Sequence, residues 1–446
     1  MKPVIARSLD TASLAAIALL VISGSIVAVC CRGLFADGGF HLLVMLSTGD
    51  IMRVWPSRLF ADYLMDYPVV AALDWGVRSL RALAILFTAS LLYVPLFAYS
   101  AAIWITRDDR VLWTATLVVV TLCYFPTSFF LVGEFHLLYA LYWFGFVVTV
   151  SGKADSQPGA FGLALVAFLM IKSYDLSVVL CPILAGLCVW RMTIAANRRV
   201  KLLLTLAVGL LLIAAWSGLQ GVLAPTDPTS KAEFLTYTTD ILGDPQVRRY
   251  MTLTALAAAA AFAPEKRLSL VLGGMLAAAL ALMAGRLYSH HDWLVFRAAY
   301  DMRGKAFLLL LAIGVVVLML RCVGWPRPGV RFAAWPPMLL LLWVAGATVL
   351  DTADWARYLE ALCTELRTDS EAGTAAFLAR PLAGKFNWGW TGPTLSVLLR
   401  PEGSSKIIVF HPPDEPSFEP FDPASGGPDI AIFKSAGPIC HDPGAR

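Results

Sequence analysis

An all-α polytopic membrane protein of about eleven transmembrane helices, followed by a small α+β extracytoplasmic C-terminal domain, is the fold class this sequence predicts. Three observations predict it. Of 446 residues, 58% are hydrophobic and 15% charged, against about 25% charged in an ordinary soluble domain. The apolar residues gather into runs approaching the roughly 20 that a spanning helix needs. Lys and Arg recur in alternate gaps between those runs, as they do where such gaps face the cytoplasm.

Eleven runs qualify: 12–31, 82–105, 111–132, 137–151, 159–171, 176–190, 202–223, 251–263, 268–284, 306–323 and 333–350. The first follows Lys2 and Arg7 and is read as a span, because no small-residue cleavage site with a soluble domain behind it follows. Runs 137–151, 159–171, 176–190 and 251–263 are short, and short spans thin the bilayer or stop in a protein-lined cavity. With the N-terminus in the cytoplasm, Arg107, Arg110, Lys153, Arg191, Arg198, Arg199, Lys201, Lys266, Arg267, Arg321, Arg327 and Arg331 all fall inside. An odd number of spans then leaves everything from Asp351 outside. The net charge of +4 is a topology signal. Nucleic acid is excluded as a ligand, since no basic patch with interleaved aromatics stands on a soluble domain.

The chain divides at 350. Residues 1–350 form the transmembrane domain, with a first outer loop at 32–81 much longer than a usual connection. Apolar positions at Phe40 to Leu46 and at Leu59 to Leu73 predict two amphipathic helices in that loop. Residues 351–446 form the C-terminal domain. Asp354 to Leu378 reads as helix, and Leu395–Leu399, Ile407–His411 and Ile430–Phe433 read as strands between Pro and Gly clusters. Cys363 and Cys440 are the two cysteines of this outer tail, and an oxidising compartment allows them to pair as a disulfide.

The chemistry concentrates in GLFADGGFHLLVMLSTGDIMRVWPSRLFADYLMDYP, from Gly33 to Pro68, a polar island among nearly uncharged neighbours. Asp37 is its leading carboxylate and the candidate general base; as the alternative, Asp37 caps the helix that follows. His41 and Arg58 are candidate substrate ligands. Arg58, Asp62 and Asp66, at i, i+4 and i+8, read as a solvated or ion-paired stripe. Two short outer turns lie at the same face. One carries Glu134, a second candidate acid, with His136; the other carries Lys172, Tyr174 and Asp175. Ionisable groups so placed are costly against lipid and turn into a cavity. The basic, aromatic loop 286–305 adds His291, Arg297 and Arg303, suited to an anionic head group. His290, His291 and Asp292 are consecutive and have no spaced partner pair, so a divalent metal has no support and no cofactor is expected. Trp388 and Trp390 read either as a sugar-stacking platform or as packing in the tail.

The long, helical, acidic first loop (Asp37, then RLFADYLMDYP), the short turn with Glu134 and His136, the span count and the outer tail together resemble the glycosyltransferase C superfamily: bacterial polytopic enzymes that take sugars from polyprenyl-phosphate carriers. The resemblance implies membrane lipid, a polyprenyl-phosphate sugar donor and a glycan, lipid or protein acceptor as partners. It also implies that Asp37 activates the acceptor while Lys172, Arg297 or Arg303 offsets the phosphate charge. Many members carry two adjacent acids where this chain has Asp37 followed by Gly38 and Gly39. Two other classes remain open at this point. One is a transporter or flippase of a lipid-linked or anionic solute, which calls for mid-membrane charge and paired broken helices. The other is a non-catalytic envelope assembly protein.

Overall fold

A computed structural model describes residues 2–53, 58–127, 134–223, 245–290, 302–325, 332–368, 381–386 and 391–399. Among them the chain is helical, without a strand. The helices are α1 (Lys2–Val29), α2 (Asp37–Thr48), α3 (Leu59–Asp74), α4 (Leu80–Thr106), α5 (Arg110–Val119), α6 (Glu134–Val150), α7 (Gln157–Leu169), α8 (Ser177–Ile194), α9 (Arg198–Leu223), α10 (Pro245–Ala261), α11 (Lys266–His290), α12 (Met302–Cys322), α13 (Trp335–Leu366), α14 (Pro381–Lys385) and α15 (Thr391–Leu398).

Seven of these, α1, α4, α8, α9, α11, α12 and α13, are long and apolar enough to cross a membrane. Three shorter apolar helices, Arg110–Tyr124, Glu134–Val150 and Gln157–Leu169, lie between them. Large apolar side chains point outward along the long helices, as Leu202, Leu206, Ile213 and Trp216 do on α9. In water such faces would be a liability; in lipid they are the solvent-facing side. The chain is a membrane protein. Nine of the eleven apolar runs of the sequence begin within helices, and runs 176–190 and 333–350 begin one and two residues ahead of α8 and α13; among the described residues seven helices reach span length.

Local signals set the boundaries. Asp109 caps α5 by accepting from the Val111 and Leu112 amides at 3.2 and 3.1 Å, and Ser156 caps α7 through the Gly159 amide at 3.2 Å. Gly49 ends α2 in the left-handed region at φ 66°, where glycine carries no steric cost. α5 runs on through a π-turn, Val120–Tyr124, before a 3-10 turn at Phe125–Thr127.

α1 packs on α4 and α13, α4 on α3 and α6, and α6 on α8, while α7, α8 and α9 form a tight group. Buried tryptophans fasten the interior with their indole N–H groups: Trp113 donates to Ser13 Oγ at 2.9 Å and Trp143 to Thr116 Oγ1 at 3.1 Å. The two helices expected in the first loop are α2 and α3.

Two readings of the tail change. α13 does not stop at 350 but continues to Leu366. Leu395–Leu399, expected as a strand, lies in helix α15 and its ending turn. Thr391, Thr394, Leu395 and Leu398 are all buried at helical spacing, with α15 packed against α2. A short apolar run does not distinguish strand from helix by itself; here the packing partner decides. Cys363 is disulfide-bonded. Its expected partner Cys440, the two other expected strands and the Trp388–Trp390 pair lie outside the described residues.

Candidate functional site

The chemistry-bearing residues stand at the starts of five helices. Asp37 opens α2, Arg58 precedes α3, Glu134 opens α6, Tyr174 and Asp175 lead into α8, and Arg303 is the second residue of α12. Each helix start presents unpaired amides and partial positive charge. Carboxylates are therefore at home there, and an anionic ligand would be too.

Arg58 ties three of these starts together. Its Nη1 is 3.4 Å from Glu134 Oε2, its Nη2 is 3.4 Å from Asp175 Oδ2, and its guanidinium lies 5.0 Å over the Tyr174 ring. Burial opposes the charge, but Glu134, Tyr174 and Asp175 outweigh it and hold Arg58 above its usual range. Asp175 uses Oδ2 for this contact; its Oδ1 is buried with no hydrogen-bond partner among the described residues. Arg303 is buried, its guanidinium 5.9 Å from the Phe135 ring centroid. Its backbone carbonyl accepts from the Tyr139 hydroxyl at 3.0 Å, fixing the start of α12 against α6.

Asp37 is half-buried and lies within electrostatic reach of this group. Burial pushes its carboxyl up from the ordinary range, against the pull of His41, Arg303 and Arg58, and Glu134 adds to the rise. Four residues on, one helical turn away, His41 Nδ1 is 3.8 Å from Asp66 Oδ2. Burial works against the imidazolium, yet the carboxylate of Asp66 beside it, with Asp62 and Glu134, holds His41 up at about 9. Asp62 is pushed up to about 8 by burial, with Glu134 and Asp66 adding repulsion. His41 and Asp62 are thus both shifted toward their protonated forms.

The backbone that carries Asp37 is strained. Ala36 has φ 56° and ψ −126°, the first central position of a type II′ turn, where glycine is the usual residue. The Gly38 amide closes the turn on Phe35 O at 3.2 Å. An L-residue held there costs about 1–3 kcal/mol.

Seven of the expected site residues thus meet: Asp37, His41, Arg58, Glu134, Tyr174, Asp175 and Arg303. Lys172 enters through its backbone, at φ 51°, its carbonyl accepting the Phe60 amide at 3.1 Å and tying the turn to α3. His136 sits among Thr127, Tyr124 and Phe135, with Nε2 3.1 Å from Thr127 O. Residues i and i+2 of a helix do not share a face, so the start of α6 turns Glu134 and His136 apart. His291 and Arg297 lie outside the described residues.

Asp62 and Asp66 form no solvated stripe, being 4% and 1% exposed. Their face of α3 turns inward to His41, and this is what the sequence reading missed. Among the described residues no group of His, Cys, Asp and Glu is arranged to hold a metal ion.

No family model, curated protein or solved structure matches the chain.

Proposed function

We propose that the protein is a membrane glycosyltransferase that moves a sugar from a polyprenyl-phosphate donor to an acceptor at the outer face of the cytoplasmic membrane. One observation carries the reading: a half-buried carboxylate, Asp37, lies within electrostatic reach of the Arg58 and Arg303 guanidinium groups at a convergence of helix starts, inside an otherwise apolar helical body. Transfer by direct displacement needs a base for the acceptor hydroxyl and positive charge for the leaving phosphate. Asp37 supplies the first. Burial raises its proton affinity toward that of a useful base. Arg303 and the amides of the helix starts supply the second. Glu134 and Asp175 fix Arg58 in place, and the unpartnered Asp175 Oδ1 is suited to accept from a sugar hydroxyl.

The test is transfer of label from a radiolabelled polyprenyl-phosphate sugar pool in membranes carrying wild type, Asp37→Asn or Asp50→Asn. Asn keeps the shape of Asp37 and removes the base. Asp50 is an exposed residue of the same loop, paired with Arg53, and serves as the control. Loss with Asp37→Asn alone, at equal protein level, supports the reading. Absence of transfer by the wild type, or full transfer by Asp37→Asn, overturns it.

A further inference from the structure

The turn that delivers Asp37 is held from the far end of the chain. The Ala36 amide donates to Thr391 Oγ1 at 3.0 Å, across 355 positions of sequence. Ala36 and Thr391 are both fully buried. α15, which Thr391 opens, also closes on the next turn of α2: a Cβ added to Gly39 would lie 3.2 Å from Thr394 Cγ2 and 3.6 Å from Leu398 Cδ1.

The segment that brings Thr391 there has anchors of its own. Lys385 Nζ reaches Asp351 Oδ1 at 3.1 Å and Asp354 Oδ2 at 2.6 Å, both on α13. Phe386 packs edge-on against Phe35 and Trp355, with ring centroids 6.1 and 5.4 Å apart. Phe35 is the first residue of the strained turn. A buried amide must find an acceptor, and an Ala at this turn position returns to negative φ unless its surroundings prevent it. Thr391 supplies the acceptor.

We propose that Thr391 is a positioning residue for Asp37: its hydroxyl, carried by α15, holds the Phe35–Gly38 turn in the conformation that fixes the direction of the Asp37 carboxyl. The consequence for rate rests on the glycosyltransferase reading; the consequence for Asp37 itself does not. Thr391→Val removes the acceptor at nearly constant volume, so the turn relaxes and the carboxyl swings away. Thr391→Ser keeps the acceptor. Ala36→Gly makes the turn favourable without outside help, and so compensates for Thr391→Val.

The experiment uses the full chain in lipid nanodiscs and measures modification of Asp37 by a hydrophobic carbodiimide, read by peptide mass spectrometry. Transfer kcat and donor KM are measured in parallel. Thr391→Val is expected to change the Asp37 labelling rate several-fold and to lower kcat with little change in KM. Thr391→Ser and the double variant Ala36→Gly/Thr391→Val are expected to return both toward wild type. Wild-type labelling in Thr391→Val, or a labelling change that Ala36→Gly does not reverse, overturns the proposal. If the glycosyltransferase reading fails, transfer is absent in every variant while the labelling pattern still reports on Thr391.

Discussion

Arg58 and Glu134, 76 positions apart in sequence, meet at 3.4 Å with side chains 15% and 7% exposed. The pair joins the first loop to the start of α6, and Arg58 has Asp175 on its other arm. Removing one member of a buried pair strands the other and costs about 3–5 kcal/mol. Arg58→Met should therefore lower the thermal midpoint in detergent sharply, and Arg58→Met/Glu134→Gln should recover part of the loss because one stranded charge is gone.

Stability should fall as pH rises through the weakly alkaline range. His41 binds its proton more tightly in the folded state, at about 9 against 6.5, so its contribution is complete below pH 6.5 and is lost as pH climbs to about 9. Asp62 has the same sign, being raised from 3.8 to about 8; its contribution is complete below 3.8 and lost by about 8. Both groups release protons on unfolding between pH 7 and 8, and His41 continues to about 9. Asp66→Asn removes a main partner of the imidazolium and should flatten the His41 part of the profile. A thermal midpoint that rises between pH 7 and 9 would contradict this account.

Lys385 neutralises two buried carboxylates at once. Lys385→Met should loosen α14 and expose Phe386, which is fully buried in the native chain. Limited chymotrypsin digestion reads this directly: cleavage after Phe386 should become faster, while cleavage within α1 to α9 stays unchanged.

Gly33 donates its amide to Thr88 Oγ1 at 3.1 Å, and a Cβ there would lie 2.7 Å from that oxygen and 3.0 Å from the Thr88 backbone. A side-chain rotation cannot relieve a backbone clash, so Gly33→Ala should cost about 1–3 kcal/mol. Gly346, inside α13, has nothing within 4 Å of an added Cβ. Gly346→Ala should instead gain up to about 1 kcal/mol of helix propensity.

The sequence announces its helices because lipid demands long apolar runs. It announces the cluster as well, because charge in an apolar chain stands out wherever it occurs. Asp37, Arg58, Glu134, Asp175 and Arg303 could each be picked out that way, although none lies near the next in sequence. Asp62 and Asp66 were harder, since i, i+4 spacing is the same whether the face turns to water or inward to His41. Thr391 and Lys385 carry no local signal. Their importance comes from partners hundreds of positions or a whole helix away, and hydrophobic periodicity is silent about such contacts.

The distance between Ala36 and Thr391 also sets an order of events during synthesis. At about 5–20 residues per second, the ribosome reaches Thr391 on the order of half a minute after the first loop has been made. Through that interval the loop lacks the hydroxyl that holds its turn, and Asp37 has no fixed aim. The turn that carries Asp37 therefore waits for α15 before the Ala36 amide has this acceptor.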